Sequence, residues 1–221
     1  MAFEGDGNLL APVFFLSYAR AWPSKTSKAI ELRLFNDLSS HVGELLGCAV
    51  GEYPGFMEWS TADMADGVRL APEVLAAAGT CHVFVPLISW GYMESKWCAM
   101  EWDAFSKRNV GHRPAASSAS SGRKTAILPV IWSPTVADQL PPAVLELQFF
   151  RPQKLRDPGI VQRYLTEGVY GLLILNDEAA YQAVAWCLAQ RIVDAYYAYH
   201  IESRTPTDPR QLRGSFRGDD A

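Results

Sequence analysis

The chain contains no stretch of eighteen consecutive apolar residues, so nothing in it reads as a membrane-spanning helix. Its opening residues, Met1 to Gly7, lack the basic start of a secretory signal. There is no GxGxxG turn, no Gly-Lys-Ser/Thr phosphate loop and no GxSxG elbow, which removes the common signatures of dinucleotide folds, P-loop enzymes and α/β-hydrolases. The four histidines (His41, His82, His112, His200) are scattered, so no zinc set is legible and no metal is expected. Cysteine is scarce as well. Cys48, Cys81, Cys98 and Cys187 form no CxxC pair, and Cys81 and Cys187 sit in apolar runs, where they read as small buried hydrophobes. The net charge of −4 carries no basic excess of the kind that grips nucleic acid. A cytoplasmic protein without membrane or nucleic-acid partners is the expectation from these absences.

What remains is an ordinary globular composition. The chain has 221 residues, 49% hydrophobic and 20% charged, which suits one domain with decorations. Residues 1–11 read as a flexible leader, 12–201 as the domain, 112–122 as a mobile Ser-rich insertion within it, and 202–221 as a disordered polar tail. Continuous apolar runs at Pro12–Tyr18, Cys81–Ile88 and Thr125–Ile131 predict strands buried on both faces. Pro129 predicts a bulge or a strand end within the third. Short strands are also expected near Cys48–Val50 or Phe56–Glu58, and an edge strand at Leu145–Phe150. Helical periodicity covers about Ser27 to Leu45, Ala71 to Ala78, Glu94 to Lys107, Ile160 to Glu167 and Glu178 to Ile201. Strands alternating with helices give an α/β fold: a flavodoxin-like three-layer sandwich around a parallel sheet of about five strands, order 2-1-3-4-5, with an extra long C-terminal helix.

In that order the ligand crevice lies beyond the carboxyl ends of strands 1 and 3. Those ends carry Ser17-Tyr18-Ala19-Arg20 and Ser89-Trp90. The segment after strand 3 holds Ser95-Lys96-Trp97-Cys98-Ala99-Met100-Glu101-Trp102. Glu101 among aromatic and apolar neighbours is the first candidate for charge-stabilising or acid/base work, though a solvated helix glutamate is the plainer alternative. Arg20 has the chemistry to grip a phosphate, or to sit on the surface. Trp59, in a long loop rich in glycine and aromatics, and Trp90 offer faces for stacking or for packing. Cys98 has no histidine partner in view and is not read as a nucleophile.

Two of these segments resemble those of Toll/interleukin-1 receptor (TIR) domains of the bacterial kind. Phe14-Phe15-Leu16-Ser17-Tyr18-Ala19-Arg20 resembles the family's first box, and Ser95–Trp102 resembles the Ser-x-Trp-Cys-x-x-Glu box of its enzymatic members. Asp66-Gly67 and the helix and strand that follow resemble the connection between the boxes; the likeness covers about residues 12–107. The resemblance implies cleavage of the nicotinamide–ribose bond of NAD, with NAD as substrate and no cofactor. It implies Glu101 as the catalytic residue, and a substrate site drawn from Ser17, Tyr18, Arg20, Trp59, Ser89, Trp97 and Cys98. It equally implies a second class, a non-enzymatic module that self-associates through such domains. The long C-terminal helix and tail, residues 178–221, are additions suited to docking a partner protein, and a stand-alone domain of this kind fits bacterial immunity.

Overall fold

In the computed structural model of the chain, which describes residues 11–19, 25–49, 52–58, 72–113, 125–135, 140–153, 155, 157–206 and 208–217, the first apolar run lies inside the sheet. Strands β1 (Phe14–Ser17) and β3 (Val83–Ile88) are the inner pair of a parallel four-stranded sheet. β2 (Gly55–Phe56) and β5 (Val130–Ile131) flank them, giving the order β2-β1-β3-β5. A third short strand, β4 (Val110–His112), lies outside this sheet. Every residue of β1 and β3 is buried, as continuous apolar strands covered on both faces must be. The Phe15 ring meets Phe56 and Phe84 edge-on at 5.3 and 5.5 Å, tying three strands together.

Two prolines shape the ladder between β3 and the segment 125–131. Phe84 exchanges hydrogen bonds with Ala126 and Leu128 (2.9 and 2.8 Å), and pairing resumes at Leu87↔Val130 in the same register. Between them Pro86 stands opposite Pro129. Pro86 has no N–H to give, so regular strand geometry is confined to Val130–Ile131. The break expected at Pro129 is therefore present.

Helices flank the sheet in a flavodoxin-like, three-layer α/β arrangement. α1 (Lys25–Leu46) packs on α7 (Glu178–Ala198), the long C-terminal helix. Tyr181 of α7 donates to Asp37 of α1 at 2.6 Å, and Arg33 lies 4.8 Å over the Tyr181 ring. Elsewhere α2 (Pro72–Thr80) packs on α4 (Lys96–Ser106). The helix expected over Glu94–Lys107 is divided. Ser95 is extended (φ −81°, ψ 114°), ends the five-residue α3 (Trp90–Glu94), and caps α4 by accepting from the Cys98 N–H at 3.3 Å.

Several expectations require correction. The sheet has four strands among the described residues, and Leu145–Phe150 is not the fifth. Pro141 and Pro142 open a helical turn, α5 (Pro142–Leu145), and the following residues reach the sheet edge through Phe150 N–H to Pro129 O at 2.8 Å. Cys48 and Ala49 lie in no strand; the second strand is Gly55–Phe56, starting one residue before the expected Phe56–Glu58. The residues of the expected Ile160–Glu167 helix are helical, and those from Val169 to Ile174 continue beyond them. They belong to α6 (Pro158–Ile174), kinked at Gly168, whose φ of 67° and ψ of 178° leave the helical region. A Cβ there would lie 2.5 Å from Trp132 O, so the kink needs glycine for both conformation and space. α7 stops at Ala198, because Tyr199–Ile201 forms strand β6, antiparallel to β4. His112 thus belongs to a ladder rather than to a mobile insertion, while residues 114–122 of that expectation lie outside the described residues.

The largest departure is the tail. Composition reads 202–221 as disordered, yet 202–206 and 208–217 follow a fixed course across α2, α3 and α4. The Arg204 N–H reaches Gly79 O at 2.8 Å, and the approach is so close that a Cβ on Gly79 would meet Thr205 Cα at 2.6 Å. Further on, Arg213 binds the Asp103 carboxylate through its backbone N–H (3.0 Å) and its Nε (2.9 Å), and Lys107 Nζ adds a contact at 2.7 Å. Burial alone would push the Asp103 carboxyl up; hydrogen bonds from Lys107 and Arg213 outweigh it and hold the group below its ordinary value. A depressed folded pKa adds stability that is present above the unfolded value, about 4, and lost as pH falls through the folded one. Asp103→Asn should therefore flatten the acid limb of the stability profile: between about pH 5 and pH 3 the wild type should lose more stability than the variant, measured by denaturant midpoints. Parallel profiles would contradict this.

Candidate active site

β1 and β3 are neighbours whose connections leave in opposite directions, to β2 on one side and β5 on the other. Their carboxyl ends therefore flank a topological switch point, where open α/β sheets bind ligands. β1 delivers Ser17 to this point, and the turn after β3 delivers α3 and α4. Ser89 lies at the turn between β3 and α3. It caps α3, accepting from the Tyr92 N–H at 3.2 Å, and so fixes where Tyr92 points.

Ser17 Oγ donates to Glu101 Oε2 at 2.5 Å and lies 2.9 Å from Tyr92 Oη. A serine hydroxyl has one proton. With that proton on the carboxylate, Tyr92 must be the donor in its contact with Ser17. The three groups form a directed chain, Tyr92 to Ser17 to Glu101, each donor polarising the next. All three are buried: Tyr92 is 0% exposed, Ser17 1% and Glu101 5%. A carboxyl out of water costs stability unless it is hydrogen-bonded, and Ser17 supplies such a bond.

The neighbouring titratable groups stay protonated. Burial above all raises the Tyr92 phenol well above its ordinary value, and the nearby Glu101 adds to the effect. Burial likewise raises the Cys98 thiol, with Glu101 next in size. A thiol held in that state is a poor nucleophile. The Cys98 side chain is buried in the core, and its N–H is engaged by the Ser95 cap. All four cysteines are free, and Cys81, the most buried, is pushed up to about 12, by burial above all.

Tyr18 points along the same edge. Its hydroxyl donates to Glu58 O at 3.0 Å, and the two residues join Phe15, Leu16, Ser17 and Glu101 around a cavity of about 10 Å³. That is room for about one water. Trp97 is partly buried against the core, with Lys96 Nζ 5.9 Å over its ring, and Trp90 is half exposed beneath Arg217. Neither is joined by a hydrogen bond to the Tyr92–Ser17–Glu101 chain. Arg20 and Trp59 lie outside the described residues. Two contributors were not singled out by sequence reasoning. Tyr92 was detectable as the third residue after a capping serine; Glu58 acts through its backbone carbonyl, which no side-chain pattern announces.

A larger concavity, about 410 Å³, lies along residues 125–128, 146–151 and the face of α7 around Cys187 and Arg191. None of the sequence-predicted site residues lines it. Among the described residues, no group of three His, Cys, Asp or Glu is placed to hold a metal ion, and no helix is long and apolar enough to cross a membrane. No protein-family model, curated protein or solved structure matches the chain.

The directed chain has an energetic signature. Ser17→Ala and Tyr92→Phe should each destabilise by about 1 kcal/mol or more, and together by less than their sum, with a coupling of about 0.5–1 kcal/mol in a double-mutant cycle. Strict additivity in urea unfolding would show that the hydroxyls act separately.

Proposed function

We propose that the chain is a TIR-type NAD glycohydrolase that cleaves the nicotinamide–ribose bond of NAD in bacterial defence or signalling. One observation carries this reading. Ser17 and Glu101, from the two segments that resemble the family's boxes, lie 84 residues apart in sequence and meet in a 2.5 Å hydrogen bond. They meet at the edge of the sheet where such folds take their ligands.

Each group then has a chemical task. The bond from ribose C1′ to the nicotinamide nitrogen breaks with its electron pair leaving on nicotinamide. Positive charge develops on the ribosyl carbon and ring oxygen, as in other glycosyl transfers. Glu101, as a carboxylate, accepts the ribose hydroxyls and faces that charge. Ser17 holds one carboxylate oxygen in place, and Tyr92 holds Ser17. Water then adds to C1′ and loses a proton, giving ADP-ribose; capture by a nucleophile within the same molecule gives a cyclic isomer instead. By the resemblance, Ser17 and Arg20 belong to the loop that lines the nucleotide site, Trp59 to the loop that covers it, and Tyr18, Trp97 and Cys98 to the substrate site. A ribose exceeds the 10 Å³ cavity, so substrate entry requires the site to widen.

That same cavity size favours a second reading, a non-enzymatic module that self-associates or recruits a partner protein through residues 178–221. Nicotinamide release separates the two. Purified protein incubated with NAD at high concentration, or clustered by crowding, should release nicotinamide by chromatography, and Glu101→Ala should lose about 100-fold or more of that rate. The co-product distinguishes hydrolysis from cyclisation. If clustered wild type leaves NAD intact, the interaction module is the correct account.

A further inference from the structure

We propose that Phe216 and Arg213, on the C-terminal tail, are positioning residues that brace α3 against α4 and so hold the Tyr92–Ser17–Glu101 chain in line. The inference rests on the proposed reading for its catalytic consequence only; the bracing stands on contacts alone.

α3 has five residues, too few to hold its shape by its own hydrogen bonds. It nonetheless carries Tyr92, the first member of the chain. α4 carries Glu101, the last. The two helices are separated by the extended Ser95, so their relative placement must be fixed from outside. The tail does this at three points. Phe216 inserts between the helices, 5.6 Å from the Tyr92 ring and 5.6 Å from the Trp102 ring. It thus touches the residue that donates to Ser17 and the residue next to Glu101. Arg213 grips Asp103, two residues beyond Glu101, as described above. Arg217 pairs with Glu94 at 2.9 Å and lies 5.6 Å over the Trp90 ring, closing the far end of α3.

The burial of α4 fits the same account. Cys98 to Phe105 are buried without interruption, which a helix with only one face on a sheet does not achieve. Trp102 meets Phe84 of the sheet edge-on at 6.2 Å and Phe105 stacks on it at 5.3 Å, while Asp103 is bound by the tail. The Asp103 side chain is only 2% exposed although its partners Arg213 and Lys107 are 70% and 42% exposed. A buried carboxylate held by two largely exposed cations is a clasp: its acceptor belongs to the domain core, and one of its donors to a segment that lies on the surface.

The test uses the full chain with Phe216→Ala, Arg213→Ala and the conservative Phe216→Tyr. Arg210→Ala serves as control, because among the described residues Arg210 pairs with Asp208 of the tail itself. Backbone hydrogen exchange is read by mass spectrometry, and kcat and KM for NAD by nicotinamide release. Phe216→Ala and Arg213→Ala should speed exchange at residues 90–102 by about tenfold or more, with β3 and α7 unchanged. They should lower kcat by about tenfold at nearly constant KM, since misplacement of a reacting group acts on the chemical step. Phe216→Tyr should restore both readouts, and Arg210→Ala should match wild type. Unchanged exchange at 90–102 in Phe216→Ala and Arg213→Ala overturns the proposal, as does an equal rise across the whole chain. Local loosening with no nicotinamide release from wild type supports the bracing and overturns the glycohydrolase reading instead.

Discussion

A carboxyl group buried at the switch point of a parallel sheet must be given hydrogen bonds, and the placement of three elements follows from how Glu101 receives them. Its donor, Ser17, is the last residue of β1, so the strand must end where α4 begins its second turn. Ser17 in turn needs a donor once its own proton is committed, and Tyr92 supplies it from α3. The break at Ser95 makes this possible. A continuous helix through residues 90–106 would carry Tyr92 and Glu101 in fixed angular relation along one axis; two short helices meeting at an extended residue allow both to converge on Ser17.

Convergence bought with short helices is weak locally, and the structure offsets it with long-range contacts. The tail returns from β6 to α2, where Gly79 lets its backbone pass, and continues to α4 and α3. Its most consequential contacts combine an ion pair to a buried acceptor with an aromatic insertion. The first gives direction and the second gives contact area. On the other side, α1 and α7 support the sheet through Asp37, Tyr181 and Arg33. The site therefore stands between a thick helical layer and a thin strap.

The legible parts of the chain were those where one physical signal dominates. Phe14–Ser17 and Val83–Ile88 are apolar without alternation, and strands buried on both faces have no other solution. Glu101 stood out because a carboxylate is conspicuous among Trp97, Cys98, Met100 and Trp102. Illegible parts depended on distant partners. Leu145–Phe150 has a strand's composition, but Pro141 and Pro142 commit its start to a turn. The tail has the composition of disorder; what orders it is Phe216 and a few charges whose partners, Asp103 and Glu94, lie more than a hundred residues earlier. Tyr92 had no mark of its own beyond its spacing from Ser89, since its role is fixed by where β1 ends.

The central claim is that the Glu101 carboxylate, held by Ser17, is the group that meets the nicotinamide ribose. Carbon-13 NMR of the glutamate side-chain carboxyls tests it directly, with the Glu101 resonance assigned by its loss in Glu101→Gln. On addition of NAD that resonance should shift in wild type, and the other glutamate signals should stay in place. A Glu101 resonance unmoved by saturating NAD would contradict the account.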